Sequence, residues 1–242
     1  PVGRDEVAYE KGASVVKGII EENPNHPGAL HYLIHSYDDP GHAHLALNAA
    51  NSYSEVAADA AHALHMPSHI YVAVGMWDEV VTSNIASWNS SVNRMKEKKL
   101  NNNALSYHAL HWKLYGLLNL GRHKEAEQLV RDMKQYSDEE PSKSARRYMI
   151  SIKANYLVET GAWENDIADF DMSRKDMNIS HRASFSFLEG MKAFLKNDFE
   201  SLTGIINELE QERKESSRQV SESGVPMCSA SGSNRYAPNK AD

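Results

Sequence analysis

Of the 12 histidines in this chain, seven fall in three short blocks: His31 and His35; His62, His65 and His69; His108 and His111. Spacings of three, four and seven residues put each set on one face of a helix. Neutral imidazole is a nitrogen ligand that suits Zn, Cu, Fe or Ni, and not Mg or Ca. His65 follows His31 by 34 residues, and His69 follows His35 by the same interval. Two imidazoles four residues apart, copied into a neighbouring helix ~8–10 Å away, could share one ion at metal–nitrogen distances of ~2.0–2.1 Å. The competing reading is structural, since duplication also copies a histidine that merely packs.

The pattern is not His-Glu-x-x-His. Tyr32 follows His31 and Met66 follows His65, so no general-base glutamate stands at that place. The nearest carboxylates are Asp38 and Asp39, each a candidate ligand, partner of a ligand, or general base. Asp38-Asp39-Pro40-Gly41 reads equally well as a turn. Pro67, between His65 and His69, either kinks a helix inside the site by freeing the Ala63 carbonyl, or starts a new helix. No phosphate loop, dinucleotide fingerprint or nucleophile elbow occurs.

The elements that must hold these histidines repeat. Gly28-Ala29-Leu30-His31 has counterparts at His62-Ala63-Leu64-His65 and His108-Ala109-Leu110-His111. Gly41 and Gly75 are also 34 residues apart, and Gly121 and Gly161 continue the series. After each glycine comes a second amphipathic stretch, such as Met76-Trp77-Asp78-Glu79-Val80 or Ala162-Trp163-Glu164-Asn165-Asp166. A unit of helix, glycine turn and helix with a period near ~34 residues resembles the tetratricopeptide repeat. Ala46, Val80 and Ala126 stand at its expected packing places. The blocks from His26 to His35 and from His62 to Ile70 also look like a group of bacterial tetratricopeptide proteins of undefined activity.

That resemblance implies an all-α fold, a right-handed superhelix of stacked antiparallel helix pairs. The array is expected over residues 1–215, with about five units starting near Pro27, Ala61, Tyr107, Arg147 and Ala183. One helix, Asp5 to Glu22, precedes them, and a Ser/Gly-rich tail or linker occupies 216–242. In such arrays the first helix of each unit lines a concave groove, and its second, fifth and ninth residues point into it. By that register His31, His35, His65, His69 and His111 are the expected metal ligands. His62, His108, Tyr115, Asp38, Tyr148 and Asn155 are expected to bind ligand or to support the site. His26 is expected at the rim, and His42, His44, His123 and His181 at the surface or in packing.

Composition narrows the function classes. The net charge of −7, from 26 basic and 33 acidic residues, argues against a nucleic-acid partner. No apolar run is long enough to span a bilayer. One cysteine, Cys228, excludes an internal disulfide and disfavours a thiolate zinc site. A chain that begins at Pro1 and ends at Asp242 reads as cut from something longer, which leaves its compartment, bacterial cytoplasm or periplasm, open. The leading functional expectation is a divalent transition-metal protein, in its stronger form a metalloenzyme acting on a small or peptidic substrate in the groove. The alternative is a non-catalytic scaffold that binds a peptide or protein partner.

Overall fold

The computed structural model describes residues 5–222 and, for 219–222, the backbone alone. Most of the described residues are helical and none lies in a strand. No described helix is long and apolar enough to cross a membrane. The helices are α1 (Glu6–Glu22), α2 (Pro27–Ser36), α3 (Leu47–Val56), α4 (Ala61–His65), α5 (Pro67–Val74), α6 (Trp77–Glu97), α7 (Tyr107–Asn119), α8 (His123–Glu139), α9 (Lys143–Thr160), α10 (Ile179–Leu195) and α11 (Phe199–Glu222). They form two compact units, 1–129 and 130–242, whose boundary falls within α8.

In the first unit, α1 packs on α2, α2 on α3, α3 on α5, and α6 on α4, α5 and α7. The starts of α1 and α2 follow capping chemistry. Asp5 accepts the Ala8 N–H at 3.0 Å, and His26 Nδ1 accepts the Ala29 N–H at 3.1 Å just ahead of Pro27. His26 is therefore a helix cap. Leu30, Ile34, Tyr37, Met66, Ile70, Val80, Leu114 and Leu117 form the buried interior, and Ala46, Val80 and Ala126 are all fully buried. Each large apolar side chain buried this way contributes roughly 1.5–3 kcal/mol.

Gly75, Gly121 and Gly161 take left-handed backbone angles after α5, α7 and α9, the conformation that ends a helix cheaply only at glycine. Gly41 does not share it; its N–H donates to Asp39 Oδ1 at 2.9 Å in a turn that leads through a short 3₁₀ stretch, Ala43–Ala46, into α3. Gly116 serves a different need. A Cβ there would lie 2.9 Å from Val81 Cγ2 and 3.1 Å from Val80 Cγ1. Its absence lets α7 approach α6 closely.

In the second unit α9 packs on α10 and α10 on α11. The expected helix after Gly161 is absent, and only a 3₁₀ turn, Asp166–Asp169, forms there. Side chains of the unit hold that segment in an irregular path instead. The buried Arg146 donates to the Ser173 and Lys175 carbonyls, both at 2.7 Å, and the buried Lys153 donates to the Phe170 carbonyl at 2.8 Å. Arg131 pairs with Asp166 at 2.7 Å. The expected tail boundary also shifts. α11 continues through Ser216 and Ser217 to Glu222, supported by i, i+3 pairs of Arg213 with Glu210 and Arg218 with Glu215. The remainder of that tail, with Cys228, lies outside the described residues.

Candidate metal centre

The site is built on the interruption between α4 and α5. Met66 keeps helical backbone angles (φ −52°, ψ −38°), so the chain continues in the same direction through Pro67, the first residue of α5. The hydrogen-bond ladder nevertheless breaks. The His69 N–H bonds back to Met66 O, and the Ser68 hydroxyl donates to the freed His65 carbonyl at 2.6 Å. Both readings of Pro67 thus hold in part: a new helix starts there, within a nearly continuous helical path. His65 and His69 flank the break on one face.

His65, His69 and His108 each offer a ring nitrogen, and the three nitrogens lie within 4.8 Å of one another. Nε2 of His65 stands 3.2 Å from Nε2 of His69. Two ligands around a tetrahedral ion at ~2.0–2.1 Å would be separated by about 3.3 Å, close to this distance. His108, on the first turn of α7, stacks edge-on to His65 with ring centroids 4.4 Å apart. Trp112 closes one side, 4.5 Å from the His69 ring and 5.0 Å from the His65 ring.

Hydrogen bonds make Nδ1 the donor on both His65 and His69. Asn84, fully buried on α6, donates its amide to the Val80 carbonyl at 2.8 Å. Its carbonyl oxygen must then face His65, so His65 Nδ1 is the donor in their 2.7 Å bond. Ser68 has spent its proton on the His65 carbonyl and can only accept from the same Nδ1 at 3.3 Å. His69 Nδ1 donates to the Asp38 carboxylate at 2.8 Å. His65 Nε2 is left as a lone pair pointed at His69 Nε2, and His69 matches it with a second lone pair when its ring is neutral. Carboxylate and carbonyl partners on the outer nitrogen are the arrangement that orients metal-bound imidazoles.

Burial favours neutral imidazole, the form that ligation requires, at four of the first unit's histidines. Burial pushes the His65 pKa down to about 3; the Asn84 bond opposes the shift, and His108, His69 and His62 reinforce it. Burial, then His35, His62 and His69, lowers His31; burial, then His69, lowers His35, against the pull of Asp38. Burial lowers His111.

The other expected site residues take different places. The His31 ring lies 4.7 Å from His35 and 5.3 Å from His62, and its Nδ1 is buried with no hydrogen-bond partner. His35 lies 6.0 Å from His69, and His62 lies 6.4 Å from His65. His31, His35 and His62 are therefore one ring away from the triad and outside its 4.8 Å cluster. His111 is half-buried on α7, three residues beyond His108 and also outside the cluster. Asp38 supports His69, whereas Asp39 makes the turn, accepting from Gly41 N–H and from His42 Nδ1. Tyr115 packs edge-on against Trp77 at 5.6 Å. Tyr148 and Asn155 belong to α9 in the second unit, where the Arg147 guanidinium covers the Tyr148 ring at 4.8 Å.

Asn84, Ser68 and Trp112 do not stand out from the histidine spacing. One signal for Asn84 is present in the sequence: Val80, Asn84, Ser87 and Ser91 occupy one face of α6 at core spacing, and all are buried. Polar residues on such a face need partners. Ser87 donates to the Ala61 carbonyl at 2.6 Å, and Ser91 accepts from Ser106 N–H at 3.0 Å. No family model matches the chain, and no curated protein matches it.

Proposed function

We propose that the chain is a transition-metal-binding protein of tetratricopeptide type, with His65, His69 and His108 as the ion's ligands. The observation that carries this reading is the convergence of three ring nitrogens within 4.8 Å of one another, with the His65 and His69 Nε2 atoms 3.2 Å apart. With both rings neutral, the two Nε2 lone pairs repel at that separation, and an ion held between them would relieve it. The donor set of three imidazoles favours Zn, Cu, Fe or Ni.

Three protein ligands leave a fourth position open, which is the pattern of catalytic rather than structural zinc sites. A bound ion would supply Lewis acidity there. His31, His35 and His62, on the same helix faces, would then line the approach and hold an anionic or peptidic substrate by hydrogen bonds. The repeat reading is supported by the helix starts at Pro27, Ala61 and Tyr107 and by the left-handed turns at Gly75 and Gly121.

Elemental analysis of untagged protein tests the reading. One equivalent of a first-row transition metal is expected, retained through gel filtration and lost in His65→Ala and His108→Ala. Protein that contains no metal and takes up none on titration overturns it and leaves the scaffold alternative.

A further inference from the structure

The second unit carries a cavity of ≈ 240 Å³ between the first turns of α9 and α10, lined by Lys143, Ser144, Arg147, Met177, Asn178 and His181. Lys143 and Arg147 are four residues apart and share a face of α9. No carboxylate lines the cavity, and neither cation has an ion-pair partner among the described residues. Elsewhere in this unit, Arg131, Arg182, Lys192, Arg213 and Arg218 each hold a carboxylate. In a chain of net charge −7, the lining of this cavity is basic, with two cations and no acid.

His181 completes the cluster. Its Nδ1 donates to Asn178 Oδ1, which also accepts the His181 backbone N–H at 3.0 Å. The ring is thereby locked, with Nε2 as its free end. Burial lowers the pKa of this imidazole, and the Arg147 and Lys143 charges lower it further. A bound dianion would offset both charges.

We propose that this cavity binds the phosphate group of a small phosphomonoester, independently of any metal in the first unit. A guanidinium fork, an ammonium and the Ser144 hydroxyl are donors that a tetrahedral dianion uses, with His181 Nε2 joining them once the ring is protonated, whereas a flat carboxylate is satisfied by the fork alone. The Lys143 and Ser144 amides at the start of α9, ahead of the Ala145 amide that Ser142 caps, add partial positive charge. Met177 offers an apolar contact for the ester carbon. The volume lies just below the usual small-molecule range of about 300–1,000 Å³, which suits a small ester rather than a polymer.

Calorimetric titration of the full chain with phenyl phosphate and with inorganic phosphate, against acetate and chloride at matched ionic strength, is the test. Saturable binding of both phosphates is expected, weakened about tenfold or more by Arg147→Gln and further by adding Lys143→Gln. Lys124→Gln, in the first unit, is expected to leave it unchanged. Arg147→Lys keeps the charge but loses the fork, and is expected to weaken binding while the thermal melt stays that of the wild type. Phosphate that binds no better than chloride, or equally to wild type and the double variant, overturns the proposal. So does capture on vesicles rich in anionic phospholipid that phenyl phosphate does not compete, because the occupant would then be a membrane surface.

Discussion

Asn84 lies 19 residues after His65 on a different helix, and its carbonyl oxygen receives the His65 Nδ1 proton at 2.7 Å. This bond decides which face of the imidazole is available, because Asn84 is itself oriented by the Val80 carbonyl. Asn84→Ala removes the orienting acceptor and leaves only the longer Ser68 bond. We expect metal affinity to fall about 10–100-fold and stability by roughly 1–3 kcal/mol. Competition with a chelator of known affinity and a urea titration measure the two effects separately.

Asp38 supports the second ligand from the exposed side, at 2.8 Å from His69 Nδ1. Asp38→Asn keeps an oxygen acceptor but removes the negative charge beside His69. Metal affinity is expected to drop about tenfold or more with little change in melting temperature of the apoprotein, since a surface ion pair is worth about 0–1 kcal/mol. An equal loss of apoprotein stability would show that Asp38 serves the fold and not the ion.

Acid should act on both the fold and the ion, in a direction that follows from His65. Its folded pKa, about 3, lies below the ordinary imidazole value of 6.5. The unfolded chain therefore takes the proton first. Stability is complete above about pH 6.5 and declines as pH falls through the window toward about 3, with a slope of roughly 1.4 kcal/mol for each step of one in pH. His31, His35 and His111 are lowered in the same direction and steepen the decline. A bound ion competes with protons for Nε2, so added zinc is expected to raise the melting temperature at pH 8 and much less at pH 5. Equal rises at the two pH values would count against histidine ligation.

Among the histidines, substitution should separate the triad from its neighbours. His65→Ala, His69→Ala and His108→Ala are each expected to abolish tight binding, while His123→Ala leaves the ion in place. His31→Ala and His35→Ala, one ring further out, should retain the metal and alter only how exogenous anions such as azide bind to it. Metal analysis and an absorption spectrum of the cobalt-loaded variants give the readout. Loss of metal in His35→Ala equal to that in His108→Ala would return His35 to the ligand set.

Gly116→Ala tests the spacing of α6 and α7. The added Cβ meets Val81 Cγ2 at 2.9 Å, a cost of about 1–3 kcal/mol for overpacking. His108 rides on the same helix, so the variant should also weaken metal binding, as read in the same chelator competition.

Local chemistry was legible in the sequence, whereas distances between helices were not. Helices begin at Pro27, Ala61 and Tyr107, where the repeated blocks and their apolar period place them, with cap bonds from His26 and Ser106 at the first and third. His65 and His69 could be paired because four residues along a helix is a fixed distance. His108 could not be ranked above His31, His35 or His111. That ranking depends on how closely α7 approaches α6, which Gly116 controls from two turns away. The missing helix after Gly161 has a similar origin. Ala162 to Asp166 has helical character, but Arg146 and Lys153, distant in sequence, take the carbonyls of the segment that follows. At the far end, Ser216 and Ser217 read as tail composition, while the charge pairs beside them sustain α11.

α6 donates no ligand, yet every ligand-bearing helix is gauged against it. Ser87 tethers the start of α4, Asn84 holds His65, α5 packs on its length, and Gly116 seats α7 on Val80 and Val81. It works as a common ruler for the three nitrogens. Which ion fits, by radius and preferred geometry, would then be tuned by exchanging residues 80, 81, 84, 87 and 116, with all three histidines left untouched.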